Sequence, residues 1–579
     1  MKLAAIALDY DGTIAIDGAF DPSVREAIGD ARQHGIAVIL VTGRRLADLL
    51  RAAGNVDCFD AVVAENGAVL DFPAAGRHVT FGHAPAPGFI EELRRRGIAH
   101  VAGEVVIETD AANASMAVDL VRQLQQPLIL AFNRGRLMIL PQGVAKSTGL
   151  RHALQALRLS IHNTVGIGDA ENDHDLLDAC EVGVAVAWGS SALREVADEV
   201  IAGSGPAAVA DYIRRLVRQP RLLPAQMGRR RLLLGHQHSG EPVTLAVRGR
   251  SVLIAGEPGT GKSWLAGLLC EQLILQGYSM CIIDPEGDYQ SLDGLPGVVT
   301  LGGDDPAPRA RDLVRALRHP DVSVVVNLSR MAHNLRSEYL RSLLPLLNTL
   351  RQATGLPHKI LLDEAHYCLG AGNASFVDPQ LAGYVLVTYR VSALDAAIRN
   401  ASDTVVMVTR ETDPHEIDTL LGMCRPQPCE AAGADVFREL GTNEAALLPG
   451  SEESHGRVRR FQMAPRLTSH VRHRSKYLDM PVLDHQAFVF RTGGRVGPPA
   501  HTLKEFMGLL EVLPTEQIRG YLQRHDFSRW LDDVFSDHGL AARVRALEAN
   551  YHDRDARDIS SDVTQAIRAR YDTASLVTP

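Results

Sequence analysis

The sequence predicts an α/β protein made of two consecutive domains of parallel strands and helices, followed by a mostly helical region. Short apolar runs alternate with helical stretches from residue 1 to about 215, and the same alternation returns from about 229 to 465. This rhythm is typical of parallel sheets, because the crossover between two parallel strands is usually a helix. Between 71 and 140, strand-like segments such as EVVIET interrupt the rhythm, which predicts an inserted α+β segment.

The chain is expected to divide into separate domains, since 579 residues exceed what one hydrophobic core supports. Residues 216–228 contain two prolines and are expected to form a linker. The expected segments are a first α/β core at 1–70 and 141–215, its inserted cap at 71–140, the linker, a second α/β domain at 229–465 and a helical C-terminal region at 466–579.

Composition indicates a globular protein of the cytoplasm. The hydrophobic share is 46%, and we find neither an apolar run long enough to span a membrane nor a secretory leader. The seven cysteines are scattered, which fits reduced thiols. The net charge of −9 gives no overall attraction to nucleic acid, although the arginine-rich stretches 214–231 and 457–476 are either solvated linkers or contacts for a polyanion.

The basic residues are almost all arginine: the 60 divide into 54 arginines and six lysines. Where lysine remains, a compact ammonium is expected to be required in place of a planar guanidinium. Two of the six, Lys146 and Lys262, fall inside motifs that are typical of phosphate sites.

The first of these motif sets predicts a phosphatase with a carboxylate nucleophile. Asp9 and Asp11 follow an apolar strand within LDYDGT, at the end of the strand where open α/β sheets place their sites. Thr42 ends another strand and is placed to bind a phosphoryl oxygen, and Lys146 to supply a cation. Asp169 and Asp173, in GIGDAENDHD, are hard oxygen ligands suited to Mg²⁺.

These segments, LDYDGT, VTGR, GVAKSTGL and GIGDAENDHDLL in that order, resemble the four motifs of the haloacid dehalogenase (HAD) phosphatases. The position of the insertion is similar to that of the cap in the Cof-type (IIB) subfamily. The resemblance implies a Rossmann-like core, an aspartyl-phosphate mechanism, and a phosphate monoester as substrate. It implies the following roles: Asp9 as nucleophile, Asp11 as general acid and base, Thr42 and Lys146 on phosphate, and Asp9, the Asp11 carbonyl and Asp169 on Mg²⁺ with Asp173 in support.

A second motif set predicts a nucleoside triphosphate site. GEPGTGKS at 256–263 lies between the strand SVLIA and a helical stretch, which is the context of a P-loop. Its glycines let backbone N–H groups surround phosphates at a helix N-terminus. The expected cofactor-binding residues are Gly256, Gly259, Thr260, Gly261, Lys262 and Ser263, with Lys262 on the β- and γ-phosphates of ATP and Ser263 on Mg²⁺.

Two acidic residues after a later strand complete this prediction. HKILLDEAH places Asp363 directly after an apolar run, where it is expected to hold the shell of the Mg²⁺ ion. Glu364 follows and is expected to polarise the attacking water. The two motif sets therefore predict different phosphoryl chemistry in one chain.

The segments GEPGTGKS, CIIDPEGDY, KILLDEAH and YVLVTYR resemble the HerA/FtsK superfamily of ring-forming ATPases, whose core is RecA-like. The resemblance implies a homo-hexamer that acts on double-stranded DNA, with each site completed by an arginine of a neighbouring subunit. Arg390 and Arg410 are the candidates for that arginine. Tyr389 stands where the family usually has Gln, and the N-terminal barrel of HerA is absent, with the phosphatase segment in its place.

Three interpretations of the whole chain remain open at this point. The first is a bifunctional enzyme, in which a phosphatase is fused to a hexameric ATPase acting on DNA. The second is an ATP-regulated phosphatase of small molecules that binds no nucleic acid. The third is a binding module that has kept the fold without catalysis, which the complete set of catalytic residues argues against. The sequence does not name the phosphatase substrate.

Overall fold

A computed structural model describes the chain from residue 1 to 571 with short gaps. The gaps are 134, 224–228, 306–307, 332, 379, 401–403, 425–432, 442, 451–456, 470–477, 479–481, 483–485, 493–494, 536 and 554. The described chain divides into two compact units, the first formed by 1–229 with 318–321 and 350–358, and the second by the remainder.

The first unit is an α/β domain with an inserted α+β layer. Its elements, in chain order, are β1 (Ala5–Asp9), β2 (Ala15–Ile16), β3 (Ala19–Phe20), α1 (Pro22–Gln33), β4 (Ala37–Val41), α2 (Leu46–Ala53), β5 (Ala61–Ala64), β6 (Val69–Phe72), β7 (Arg77–Thr80), α3 (Pro87–Arg95), β8 (His100–Ala102), β9 (Ile107–Asp110), α4 (Ala114–Gln123), β10 (Leu128–Asn133), β11 (Arg136–Pro141), α5 (Lys146–Ala156), β12 (Thr164–Gly168), α6 (His174–Ala179), β13 (Val182–Val186), α7 (Ser191–Val196), β14 (Glu199–Ile201) and α8 (Pro206–Arg218).

The main sheet of this unit has the strand order β14-β13-β12-β1-β4-β5-β6-β7. The six strands from β14 to β5 run parallel, and every residue of β1 is buried. Such a strand reads as a continuous apolar run because helices cover both faces of a parallel sheet. Strand β1 lies between β12 and β4. Asp9, Gly168 and Val41 are the last residues of these three strands, so they lie together at the carboxyl-terminal end of the sheet.

The insertion forms a second, antiparallel sheet of order β10-β11-β9-β8 with helices α3 and α4. Its core is apolar and separate, with Phe89, Leu93 and Leu120 fully buried. The predicted cap begins at residue 71, whereas β6 pairs antiparallel with β5 and β7 pairs antiparallel with β6, so both strands extend the main sheet. An antiparallel hairpin at the edge of a parallel sheet has the strand pattern of an α+β insertion, and the sequence alone does not separate the two.

Helix α8 continues to Arg218, which lies within the predicted linker 216–228. The helix keeps an amphipathic pattern through this point, with Val209, Ala210 and Ile213 buried. Residues 224–228 of the predicted linker lie outside the described residues.

The second unit contains a larger sheet and the C-terminal helices. Its elements are β15 (Arg231–His236), β16 (Pro242–Ala246), β17 (Ser251–Ala255), α9 (Lys262–Leu275), β18 (Met280–Asp284), β19 (Val298–Gly302), α10 (Ala310–Leu317), β20 (Ser323–Asn327), α11 (His333–Thr354), β21 (Lys359–Leu362), β22 (Tyr384–Thr388), α12 (Ala396–Arg399), β23 (Thr404–Val408), α13 (Pro414–Gly422), α14 (Gly433–Arg438), β24 (Glu444–Leu447), β25 (Arg459–Met463), β26 (Phe488–Thr492), β27 (Arg495–Ala500), α15 (Leu503–Val512), α16 (Thr515–Gln523), α17 (Asp526–Phe535), α18 (His538–Ala549) and α19 (Ala556–Tyr571).

The sheet of this unit has the order β16-β15-β25-β24-β23-β17-β22-β21-β18-β20-β19. The strands from β23 to β19 are parallel, whereas β16, β15, β25 and β24 extend one side in antiparallel pairing. The predicted α/β fold class is therefore confirmed for both parts of the chain.

The C-terminal helices surround an aromatic core. Phe488, Phe506 and Phe527 are buried together, and the indole of Trp530 lies 4.8 Å from the ring of Phe506 between centroids. Phe527 and Trp530 belong to this core, as their spacing of one helical turn predicts. No helix among the residues that the structure describes is long and apolar enough to cross a membrane.

Candidate active sites

The first site lies where β1, β4 and β12 end, and a buried lysine is at its centre. Lys146, at the start of α5, donates from Nζ to Asp9 Oδ1 at 2.6 Å and to Asp173 Oδ1 at 2.6 Å. All three side chains are almost completely buried. Burial alone would lower the pKa of Lys146, but the charges of Asp173 and Asp9 outweigh it and hold the pKa above its ordinary value. Lys146 is therefore a fixed ammonium.

Three buried carboxylates at this edge form a group that fits a metal ion. Asp9, Asp169 and Asp173 each present an oxygen, and these oxygens all lie within 4.8 Å of one another. Asp173 also accepts hydrogen bonds from the backbone N–H groups of Asp169 and Ala170, at 3.1 Å each, which fixes the turn after β12. Burial and the nearby charge of Asp173 raise the pKa of Asp9. Hard oxygen donors that repel one another in a buried site are suited to Mg²⁺.

Asp11 and Thr42 lie beside this group and share a partner that the sequence prediction missed. Arg44 binds Asp11 through two parallel hydrogen bonds, Nε to Oδ2 and Nη2 to Oδ1, both 2.6 Å. The backbone N–H of Arg44 donates to the hydroxyl of Thr42 at 3.1 Å. The only sequence signal for Arg44 is its place in VTGR, because its bond to Asp11 joins two separate loops.

A second missed residue, Glu65, connects the core to the inserted layer. It follows β5 with φ of 52° and is buried. Its carboxylate accepts the backbone N–H groups of Glu104, Val105 and Val106, between β8 and β9, at 2.9, 3.0 and 3.0 Å. The one available signal was a carboxylate directly after the apolar run AVVA.

The second site is the loop between β17 and α9. Gly256, Gly259 and Gly261 have φ of 138°, 77° and 107°. Residues other than glycine rarely adopt this region of backbone conformation. Lys262 donates from Nζ to the carbonyl of Glu257 at 2.8 Å. Thr260 donates from its hydroxyl to the same carbonyl at 2.7 Å. The loop thus has the backbone form that a phosphate-binding turn requires.

Ser263 meets an acidic residue that the sequence prediction did not single out. Its hydroxyl donates to Asp288 Oδ2 at 2.9 Å, and Asp288 is buried in the segment DPEGDY. Asp284, which ends β18, accepts backbone N–H groups from 287, 288 and 289 and so shapes this turn. Burial and the charge of Asp288 raise the pKa of Asp284 to about 6.

Asp363 and Glu364 follow β21, which lies two strands from the P-loop strand β17. Both side chains are buried, and Glu364 donates its backbone N–H to Asp363 Oδ1 at 2.9 Å. Glu364 has φ of 50°, and its carboxylate lies 3.7 Å from Nδ1 of His366. The ring of His366 packs edge-on against Tyr389, with centroids 4.7 Å apart.

The two candidate arginines have different surroundings. Arg390 lies over the ring of Tyr389, 5.9 Å from the centroid, whereas Arg410 lines a cavity beside the P-loop together with Glu257 and Thr260. A role for either across a subunit interface stays a prediction, as do the catalytic roles of the other site residues.

Two family models match the parts of the chain that carry these two sites. A family model described as haloacid dehalogenase-like hydrolase matches residues 6–82 and 90–213, and one described as the central domain of helicase HerA matches residues 234–361. The N-terminal part of the chain therefore carries a HAD-like hydrolase domain, and a HerA-type domain follows it. The predicted resemblance to both families is confirmed. The chain is an enzyme with a phosphatase domain and an ATPase domain.

Curated relatives match the first domain. A phosphoglycolate phosphatase of Methanothermobacter thermautotrophicus is 29% identical over 227 residues, which are 37% of this chain and 99% of that protein. A phosphoglycolate phosphatase of Natronomonas pharaonis is 29% identical over 34% of this chain and 91% of its own length. A solved HAD-like hydrolase of B. subtilis shares 17% identity with a TM-score of 0.33, covering 37% of this chain and all of that one.

Proposed function

We propose that this chain is a bifunctional enzyme, in which the first domain hydrolyses a small phosphate monoester and the second hydrolyses ATP. The observation that carries the phosphatase half is the ammonium of Lys146, held 2.6 Å from oxygens of both Asp9 and Asp173. A buried cation at this place attracts phosphoryl oxygens and keeps Asp9 beside them. The Thr42 hydroxyl provides a further donor at the end of β4.

The proposed reaction has two steps. An oxygen of Asp9 bonds to phosphorus as the ester bond breaks. Asp11, which must first take up a proton and give up one of its hydrogen bonds from Arg44, gives that proton to the leaving alkoxide. Water then attacks the same phosphorus, Asp11 takes up the proton, and inorganic phosphate leaves Asp9 free. Mg²⁺, when bound by Asp9, the Asp11 carbonyl and Asp169 with Asp173 in support, supplies positive charge that reduces repulsion between carboxylate and phosphate.

The relatives support a substrate class for the first site. Both curated relatives described above are named phosphoglycolate phosphatases. We therefore propose a small phosphorylated acid of the 2-phosphoglycolate kind as the first substrate to test.

In the second domain, the P-loop and the two acidic residues after β21 are proposed to bind and cleave ATP. Lys262 leaves the Glu257 carbonyl to meet the β- and γ-phosphates, and Ser263 binds Mg²⁺ with Asp363 in its shell. Glu364 orients the water. The resemblance to ring ATPases further supports a cytoplasmic homo-hexamer that acts on duplex DNA. The net charge of −9 favours the second candidate, an ATP-regulated phosphatase without nucleic acid.

The test uses one inactivating change in each site, so that each variant is the control for the other. Asp9→Asn is expected to lower hydrolysis of para-nitrophenyl phosphate and 2-phosphoglycolate by more than about a thousandfold, because it removes the nucleophile. Its ATPase rate is expected to stay near wild type. Glu364→Gln is expected to stop ATP hydrolysis while ATP still binds, with phosphatase activity intact.

Two results would contradict these assignments. An Asp9→Asn protein that keeps a tenth of the phosphatase rate would mean that another group attacks phosphorus. A Glu364→Gln protein with the wild-type ATPase rate would mean that another residue orients the water.

A further inference from the structure

A cavity of about 840 Å³ lies between the P-loop and the C-terminal helices of the second unit. One wall consists of residues 257–260, and another of Arg410, Thr412 and Asp413 after β23. The remaining lining comes from Leu440 and Gly441 and from helices α18 and α19, including Arg543 and Arg570. These helices lie outside the segment that the HerA family model matches, which ends at residue 361.

Arg570, one residue before the end of α19, binds the P-loop directly. Its Nη1 lies 2.9 Å from Oε1 of Glu257, the second residue of the loop, and its Nε lies 3.1 Å from Oδ2 of Asp537. The side chain of Arg570 is 19% exposed, so this ion pair is largely shielded from water. A shielded, hydrogen-bonded ion pair fixes both partners more firmly than a surface pair does.

Glu257 connects Arg570 to Lys262, the lysine of the P-loop. Its carboxylate also accepts the backbone N–H of Thr412 at 3.0 Å, and its own backbone N–H donates to the carbonyl of Arg410 at 2.9 Å. The carbonyl of the same Glu257 accepts the ammonium of Lys262 at 2.8 Å. The C-terminal helix, the loop and the lysine therefore form one continuous chain of contacts.

The charged residues that line the cavity are three arginines, Arg410, Arg543 and Arg570, and two acids, Glu257 and Asp413. Glu257 is neutralised by Arg570, and Asp413 caps helix α13 by accepting the backbone N–H of His415 at 2.9 Å. Among the described residues, the guanidinium of Arg543 has no ion-pair or hydrogen-bond partner, and it lines the cavity. An unpaired guanidinium beside a phosphate-binding turn is suited to an anionic group of a nucleotide.

We propose that the C-terminal helices complete the nucleotide site of their own chain: Arg570 positions the P-loop through Glu257, and Arg543 contacts an anionic group of the bound nucleoside triphosphate. The proposal rests on ATP binding at the P-loop. It adds an arginine of the same chain to the arginine that the resemblance predicts from a neighbouring subunit.

The first experiment compares arginines on the same helix. Arg543→Ala is expected to weaken binding of a fluorescent ATP analogue, or to lower kcat for ATP, by about tenfold or more, as removal of one charge-assisted contact does. Arg545→Ala is the matched control, because Arg545 lies two residues along α18 and pairs with Asp532. Equal effects of Arg543→Ala and Arg545→Ala would overturn the role of Arg543.

The positioning role of Arg570 has its own control and its own readout. Arg570→Gln and Glu257→Gln are each expected to weaken nucleotide binding, and the double variant to be no worse than the stronger single one, because both changes break the same contact. Arg568→Ala is the matched control on α19, since Arg568 pairs with Glu511. Additive losses in the double variant would overturn the coupling, and circular dichroism verifies that each variant is folded.

A mixing experiment separates the same-chain arrangement from one across subunits. Arg543→Ala protein and Lys262→Ala protein are mixed under conditions that allow subunit exchange, and ATPase activity is measured. If Arg543 acts in its own chain, every site carries one defect and activity stays at the sum of the two parents. Recovery well above that sum would overturn the proposal in favour of an arginine from a neighbour. Undiminished nucleotide binding by Lys262→Ala alone would instead contradict the ATP site itself.

Discussion

Glu411 shows how burial changes the charge of a single side chain in the ATPase unit. It is 2% exposed, and its Oε1 accepts the backbone N–H groups of Thr412 and Asp413 at 3.0 Å each. Burial raises the pKa of Glu411 to about 8, with further contributions from the charges of Glu257 and Glu416, while Arg570 and the Asp413 hydrogen bond oppose the rise. The carboxyl group is therefore neutral in the folded protein at pH values where the unfolded chain has ionised it.

The direction in which the free energy of unfolding changes with pH follows from the number of protons bound by the folded and the unfolded state. Between about pH 4.3 and pH 8 the folded state holds a proton that the unfolded state has lost, so this group makes the free energy of unfolding fall as the pH rises. The slope is at most about 1.4 kcal/mol per pH unit. Above pH 8 both states are ionised and the slope from this group ends.

We therefore predict that Glu411→Gln, which keeps an acceptor oxygen and removes the titration, is increasingly more stable than wild type from pH 5 to pH 8. The measurement is thermal unfolding at several pH values, following the transition that added nucleotide shifts. Glu439→Gln, a change in an exposed carboxylate, is the control. A constant difference in Tm between wild type and Glu411→Gln across this range would contradict the neutral carboxyl group.

The sequence predicted some of the contacts in the two sites and missed others. The spacing of the motifs predicted that Asp9, Lys146 and Asp169 come together, because strand ends in a parallel sheet share one edge. The partners Arg44, Glu65 and Asp288 were not predicted. Each of them binds a residue far away in the sequence, and a short sequence motif does not specify such a contact. Glu65, for example, is 39 to 41 residues from the loop that it binds.

The connection between the core and the inserted layer depends on one carboxylate at the end of β5. Glu65 accepts three backbone N–H groups with two oxygens, so an amide at this position would face at least one of these donors with its own N–H. We predict that Glu65→Gln destabilises the first unit by about 1–3 kcal/mol, the cost of an unsatisfied buried polar group. Phosphatase activity should fall because the inserted layer loses its orientation, while ATPase activity should not change.

The control for this element is Glu104→Gln, since the exposed side chain of Glu104 binds only His78 among the contacts described for it. Thermal unfolding and the KM for 2-phosphoglycolate are the measurements. A Glu65→Gln protein with the Tm and KM of wild type would show that other contacts orient the layer.

Among the elements, those with strong periodicity were predicted well and those defined by pairing were not. The fully buried strand β1 and the helix after the P-loop follow directly from the apolar runs. Strands β6 and β7 join the main sheet through the hydrogen bonds of β6 to β5 and of β7 to β6, and an alternating strand pattern does not specify its partner.

The whole molecule offers a test of the proposed ring and of its partner. The resemblance to ring ATPases predicts a homo-hexamer by native mass spectrometry. It also predicts that duplex DNA stimulates ATP hydrolysis at low salt and loses this effect as salt rises, because binding to phosphates releases counterions. Lys262→Ala protein, which should assemble without hydrolysing ATP, is the control for assembly.

The possible results separate the candidate functions. A monomer whose ATPase rate ignores DNA at every salt concentration would reject the translocase and leave the ATP-regulated phosphatase. A hexamer that ignores DNA would keep the ring and reject only the partner. The two families were easier to predict from the sequence than single contacts were, since several motifs in a fixed order indicate each domain.

The lysine buried between Asp9 and Asp173 has a consequence for how genes of this kind can be interpreted. In a chain with 54 arginines and six lysines, arginine supplies nearly all of the basic side chains. At residue 146 the space between two carboxylates holds a single ammonium, with 2.6 Å contacts on both sides, and a planar guanidinium is too wide for it. A homologous gene that encodes arginine at this codon would therefore mark a lineage that has given up phosphoester hydrolysis while retaining the domain as a scaffold.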